Sequence, residues 1–268
     1  MGIELIKNTP FPHTVESLAE DLTRCGLKAD SVVLVHTSLS KVGWINGGAM
    51  AFVDALMEVV DESRGTIVMP SQTGDWSDPS RWQYPPVPES WWETIRETMP
   101  AFDPVKTPCP YMGAVANLFR TYPNVYRSSH PAVSFSAWGK DAKDITADHS
   151  LNFGLGEQSP LKKLYEIDAQ VLSIGTDYDT STAMHLGEYR APNPPLKEEG
   201  AAILENGQRV WRTYEDIDLG EDQFKAVGKR LEKDGLVKAG TIGNAQTKLY
   251  SLRSAVDYAE QYFTEVRQ

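Results

Sequence analysis

His185 and Glu188 stand three residues apart in Thr182-Ala-Met-His-Leu-Gly-Glu-Tyr-Arg190, a spacing that puts both side chains on one face of a helix. Histidine changes charge near neutral pH, so its ring can take a proton from a nucleophile and give it back. The apolar run Val171-Leu-Ser-Ile-Gly175 reads as a buried strand, and Asp179-Thr-Ser-Thr182 supplies the residue types of a helix N-cap. The histidine is therefore expected just past a strand's carboxyl end, where open α/β sheets bind ligands. A histidine hydrogen-bonded inside the core is the plainer reading of such a residue, and the neighbouring loops argue against it. His185 is the candidate general base.

Two further strands end in polar loops. Val32-Val-Leu-Val35 leads into His36-Thr-Ser-Leu-Ser-Lys-Val-Gly-Trp-Ile-Asn-Gly-Gly48, and Thr66-Ile-Val-Met69 leads into Pro70-Ser-Gln-Thr-Gly-Asp75. The first loop combines hydroxyls, Lys41, close-approach glycines and the start of a helix over 49–60, all of which suit a phosphate or pyrophosphate. Arg127-Ser-Ser-His130 is a second basic, hydroxyl-rich loop. No Walker A, G-x-G-x-x-G, G-x-S-x-G or H-E-x-x-H motif occurs, which argues against a common nucleotide fold, an α/β-hydrolase and a catalytic metal. Carboxylates gather in the same segments (Asp75, Asp78, Asp103, Glu157, Asp177, Asp179, Glu188, then Glu215-Asp-Ile-Asp218) and as a group suit an amine-rich ligand.

Lys and Arg total 26 against 37 Asp and Glu, a net charge of −11 that repels nucleic acid and anionic membrane and attracts a polycation. No apolar run reaches the roughly 18 residues of a membrane span, and the first residues lack a signal peptide's basic and apolar regions, so a soluble cytoplasmic protein is expected. Cys25 falls in a helical apolar pattern and Cys109 lies between two prolines, too few cysteines for a disulfide framework or zinc site.

Strands alternating with helices imply an α/β protein with a mostly parallel central sheet flanked by helices. Helices are expected from Thr14 to a stop at Gly26, over 112–122, from Ser159 to Glu166, over 224–234 and over 251–263, with a hairpin around Asn206-Gly207. The aromatic and proline-rich stretch 75–110 is expected to be an ordered excursion over the sheet and a candidate wall of the site. Nothing marks a firm domain boundary, so 1–268 is treated as one unit, with a C-terminal α+β subdomain after the break at Pro192 to Pro195.

Several blocks in this order resemble the aminoglycoside N(3)-acetyltransferase family. They are Val35-His-Thr-Ser-Leu-Ser-Lys-Val-Gly-Trp-Ile-Asn-Gly-Gly48, Gly65-Thr-Ile-Val-Met-Pro-Ser-Gln72, Pro85-Pro-Val-Pro with Trp91-Trp92, Pro100-Ala-Phe-Asp-Pro104, Arg127-Ser-Ser-His-Pro131, Gly156-Glu-Gln-Ser-Pro-Leu161 and Thr182 to Arg190. The resemblance implies an α/β fold distinct from the GNAT acetyltransferases and acetyl transfer from acetyl-coenzyme A to the 3-amino group of the 2-deoxystreptamine ring. It places the catalytic histidine on His185 and its acidic partner on Asp216, with Glu215 and Asp218 as close competitors.

Coenzyme A is then expected on His36, Thr37, Ser38, Leu39, Lys41, Val42 and Gly43 and on Ser71, Arg127, Ser129, His130 and Ser134, with Asp75, Asp177 and Glu188 receiving the cationic substrate and Ser71 or Thr73 steadying the oxyanion. Gly187, where alanine or serine is common in the family, is expected to be a harmless departure. The expected state is a monomer or homodimer without metal. Acyl transfer to another amine, a non-catalytic acyl-coenzyme A sensor and a hydrolase using Ser38 or Ser71 are the competing readings.

Overall fold

The computed structural model describes residues 2–268. Its strands are β1 (Val32–Thr37), β2 (Thr66–Pro70), β3 (Tyr126–Arg127), β4 (Phe135–Gly139), β5 (Gln170–Ile174), β6 (Leu196–Glu205), β7 (Gln208–Ile217), β8 (Val237–Ile242) and β9 (Ala245–Ser251). Seven of them form one sheet in the order β3-β4-β2-β1-β5-β9-β8, and β6 and β7 form a separate hairpin.

Side chains alternate across a strand, so each apolar run feeds two cores. Val33 and Val35 of β1, Ile67 and Met69 of β2, and Leu172 and Ile174 of β5 pack with Leu18, Leu22, Phe52, Leu56 and Phe119 from helices on one face. Leu34, Val68 and Val171 point the other way, onto Leu164, Met184, Leu186, Phe224 and Val256. The result is a mixed α/β layered architecture with helices on both faces.

The parallel expectation holds only at the centre. β1 pairs parallel with β2 and β5, whereas β4 runs antiparallel to β2 and β3, and β9 antiparallel to β5 and β8. Connection length accounts for the β8–β9 pair. Ile242 and Ala245 are paired across a two-residue turn, and a connection that short joins only antiparallel strands. The chain beyond Pro195 thus builds the β6–β7 hairpin outside the main sheet and then returns to complete one edge of it.

Local signals worked where the chemistry is short-range. Thr14 caps the Val15–Cys25 helix with a reciprocal bond to Ser17, and Gly26 closes it in the left-handed region. Thr182 does not act as the expected cap of the Ala183–Arg190 helix: its backbone is already helical and its side chain makes no cap bond. Asp177 instead caps a short turn at Tyr178–Thr180, and the Ser181 hydroxyl meets the Tyr250 hydroxyl at 2.9 Å.

The 75–110 excursion is ordered, as its prolines and rings suggested, and contains the Trp92–Thr98 helix. It lies against the hairpin, with Phe102 N–H donating to the Ala202 carbonyl at 2.8 Å and Arg209 Nε to the Met99 carbonyl at 3.0 Å. It does not wall the main cleft, whose lining resumes only at Tyr111.

Ala183–Arg190 is buried from Ala183 through Glu188 and packs against the Leu252–Val266 helix. Contact between them is so close that a methyl group at Gly187 would press on the Val256 carbonyl oxygen and lie 2.6 Å from the Glu260 amide nitrogen. The glycine is therefore a requirement of this pairing and not a harmless departure. Gly187→Ala is expected to lower stability by about 1–3 kcal/mol by overpacking and to lower turnover by displacing the helix, measured by denaturant unfolding alongside steady-state rates. An unchanged midpoint would show that the two helices separate at no cost.

Candidate functional site

The carboxyl ends of β1, β2 and β5 open into a cleft of about 1190 Å³, lined by His36 and Thr37 at the end of β1, Met69 and Pro70 of β2, and Gly175, Thr176 and Asp177 after β5. The Leu39–Val42 helix, Trp44, Tyr111 and Thr182 complete much of its wall, and His185 forms part of its floor. His36 follows Leu34 by two residues, so its ring leaves the sheet on the face covered by Ala183–Arg190.

His185 is only 4% exposed. Its Nδ1 lies 3.0 Å from Glu188 Oε2, the Phe224 ring stands edge-on at 4.8 Å, and Glu221 Oε1 approaches Nε2 at 3.8 Å. An ionised carboxylate only accepts, so Nδ1 carries the proton in the neutral ring and the Nε2 lone pair is left for the cleft. Burial opposes charging this imidazole, but the hydrogen bond to Glu188 and the nearby Glu221 carboxylate outweigh it and hold His185 above the ordinary 6.5. His36 is driven the other way, to about 4, by burial and by His185 nearby, so it stays neutral.

The carboxylate beside His185 is thus Glu188. Asp216, the expected partner, accepts instead from the Tyr189 hydroxyl and from the Ile217 N–H at 2.8 Å. Glu188 is equally displaced from its expected place on the substrate. It is 1% exposed, with Oε1 accepting from Gly220 N–H at 3.1 Å and Arg267 Nη2 at 3.2 Å, so nothing entering the cleft reaches it.

Of the positions expected to meet coenzyme A, the structure brings His36, Thr37, Ser38, Leu39, Lys41 and Gly43 to the cleft and leaves the rest elsewhere. Val42 is buried in the core. Arg127 is a structural cation: it donates to Ser134 Oγ and to the Ser71, Pro104 and Thr107 carbonyls, stacks on Phe102, and is lowered to about 10 by burial. With its fork directed at these groups it has little left for a phosphate.

His130 is committed at both ring nitrogens, to the Leu151 carbonyl and to the Ala132 and Val133 amides, and burial pushes it to about 3. Ser134 donates to the Ser71 carbonyl, Ser71 and Ser136 share a buried hydroxyl bond of 2.7 Å, and Thr73 donates to the Pro131 carbonyl. Neither Ser71 nor Thr73 is therefore placed to steady an oxyanion, and Ser71 is no nucleophile. Ser129 is exposed on the turn joining β3 to β4, away from the cleft. Cys109 is wholly buried, which raises its thiol and removes it from any nucleophilic role.

Asp177 lines the cleft and pairs with Lys248 at 2.9 Å, whereas Asp75 lies outside it. Sequence reasoning missed the cleft groups Glu221, Thr176 and Lys225, the last of which pairs with Asp179 at 2.9 Å. Glu221 was legible as one of two adjacent acids, with Asp222, just ahead of the Phe224–Lys233 helix and past the acids singled out.

The sequence model of the family Aminoglycoside 3-N-acetyltransferase matches residues 34–264, most of the chain. The chain belongs to that family. It is 49% identical to the SPbeta prophage-derived aminoglycoside N(3')-acetyltransferase-like protein YokD of Bacillus subtilis (strain 168), over 97% of this chain and 96% of the relative. The YokD crystal structure superposes with a TM-score of 0.96, covering 98% of this chain and 97% of the other. Aminoglycoside N(3)-acetyltransferase VII of Streptomyces paromomycinus is 32% identical over 98% of this chain and 96% of its own length. The binary complex of AAC-IIIb with CoASH is 29% identical, with a TM-score of 0.85 and coverage of 96% and 98%. The protein is an acetyltransferase of this non-GNAT family, and His185 with its buried carboxylate lies within the matched span.

Proposed function

We propose that this acetyltransferase transfers the acetyl group of acetyl-coenzyme A to the 3-amino group of the 2-deoxystreptamine ring of an aminoglycoside, within one ternary complex and with His185 as general base. The observation that carries the reading is the buried Nδ1–Glu188 bond, which leaves Nε2 facing the cleft.

An aminoglycoside amine is mostly protonated at neutral pH and must lose a proton before or as it attacks. His185 Nε2 takes that proton, and Glu188 stabilises the imidazolium without being consumed. Glu221, exposed at the cleft and 3.8 Å from Nε2, is placed to hold the incoming ammonium beside the base. Asp177 and Asp179 extend this acidic rim, and the net charge of −11 favours approach of a polycation.

Acetyl-coenzyme A, when bound, supplies a thioester carbonyl for the amine and a thiolate that leaves and is protonated. The cleft suits that ligand: His36 Nε2, Thr37 Oγ1 and Thr176 Oγ1 are buried at its wall without partners among the described residues. Buried polar atoms left unpaired are costly, and the amides and carbonyl of a pantetheine arm would satisfy them. Lys41, on the Leu39–Val42 helix, is the cation available to the phosphates.

Free thiol released from acetyl-coenzyme A, followed with gentamicin, tobramycin, kanamycin or neomycin, tests the proposal. Release that requires one of these acceptors, with the product acetylated at the 3-amino group, supports it. Release without acceptor would mark a hydrolase, release only with some other amine would remove the substrate assignment, and coenzyme A binding without release would mark a sensor.

A further inference from the structure

Glu188 is held from the side opposite His185 by a residue that lies outside the cleft. Arg267, just past the Leu252–Val266 helix, donates Nη1 to the Glu188 backbone carbonyl at 2.8 Å and Nη2 to Glu188 Oε1 at 3.2 Å. Its guanidinium lies over the Phe263 ring at 4.9 Å, Phe263 meets Phe224 edge-on at 6.1 Å, and Phe224 meets His185 edge-on at 4.8 Å. One side of the base is therefore walled by a continuous stack ending on a cation. The close approach of the two helices at Gly187 is what lets position 267 reach position 188.

We propose that Arg267 is a positioning residue, which fixes the Glu188 carboxylate against His185 and, through its charge, keeps the imidazole able to release its proton near neutral pH. The positive charge of Arg267 on the far oxygen of Glu188 offsets part of the carboxylate's potential at the histidine ring. Without Arg267, the whole carboxylate charge would act on the ring, and the imidazolium would hold its proton more tightly. A base that does not empty cannot accept the amine's proton, so the device tunes the ring between too weak and too sticky.

The other groups facing the pair are Glu221 at Nε2, His36 from β1 and the Tyr189 hydroxyl, the last engaged with Asp216. Glu221 favours the charged ring and His36 stays neutral, which leaves Arg267 as the cation that opposes charging among the described residues in contact with the pair.

The role of Arg267 in turnover rests on the general-base reading above, but its coupling to His185 does not, so the two are measured apart. In the full-length protein without ligand, the His185 ring is titrated by NMR in the native sequence, Arg267→Met and Arg267→Lys. Arg267→Met is expected to raise the midpoint, corresponding to roughly threefold or more in proton affinity. Arg267→Lys, which keeps charge but not the two-pronged geometry, is expected to restore most of that shift.

In turnover, the acid limb of the kcat profile should move by the same amount as the ring, with KM for acetyl-coenzyme A unchanged. An unchanged His185 midpoint in folded Arg267→Met would overturn the proposal, as would equal shifts in both variants. If Arg267→Met does not fold, Arg267→Gln, which keeps a donor to Glu188 without the charge, decides: a raised His185 midpoint supports the proposal and a native midpoint overturns it. A shifted ring with no acetyl transfer to any amine would leave the coupling intact and remove the functional reading.

Discussion

Replacing His185 by alanine is expected to lower turnover by about 100-fold or more while coenzyme A still binds. His185 turns Nε2 to the cleft with a carboxylate bonded behind the ring, and the groups that suit the cofactor arm, His36, Thr37, Thr176 and Lys41, are on other elements. Isothermal titration with coenzyme A beside single-turnover rates separates the two effects. Near-normal turnover in that variant would remove His185 from the mechanism. The same reasoning sets the pH dependence. His185 must be neutral to act and sits above 6.5, so kcat/KM should rise with pH through a midpoint above that value and fall away on the acid side. A limb below 6.5 would assign the titration to another group.

Glu188→Ala is expected to be the most damaging change to the molecule as a whole. It strips a partner from His185 Nδ1, from Gly220 N–H and from Arg267, leaving a partly buried cation without its counter-charge. Breaking a buried pair from one side costs about 3–5 kcal/mol, and turnover should fall with it. Glu188→Gln separates geometry from charge, because its amide oxygen still accepts from Nδ1–H. That variant should fold with a smaller loss of stability yet turn over at least about tenfold more slowly, since the imidazolium has lost its stabilising charge. Native rates in the Gln variant would mean that Glu188 only orients the ring. Asp216→Ala, by contrast, removes a bond to Tyr189 and leaves the His185 contact untouched.

How much of this was legible beforehand differs by range. The i, i+3 spacing of His185 and Glu188 is a local property of a helix, and the bond between them follows directly from it. The resemblance drew attention to Asp216, a plausible acid in sequence, but β7 carries it to Tyr189 instead. A nearby hydroxyl decided its partner, and no spacing rule connects positions 189 and 216. Arg127 failed as a phosphate ligand for a similar reason: a basic loop on paper becomes a clamp once carbonyls from two distant segments surround it.

What the sequence determined by itself was the set of elements and their chemistry: apolar runs that alternate into two cores, polar loops after three central strands, a capped first helix, and a histidine placed next to a carboxylate on one helix. These are consequences of period and of neighbours within four residues. The tertiary structure alone decided that four of the sheet's pairings are antiparallel, that Glu221 and Arg267 reach the histidine pair from opposite sides, and that six of the expected coenzyme contacts never meet the cleft. Each of those depends on which distant backbone or side chain arrives first at a polar atom, and a chain read in order carries no record of such meetings.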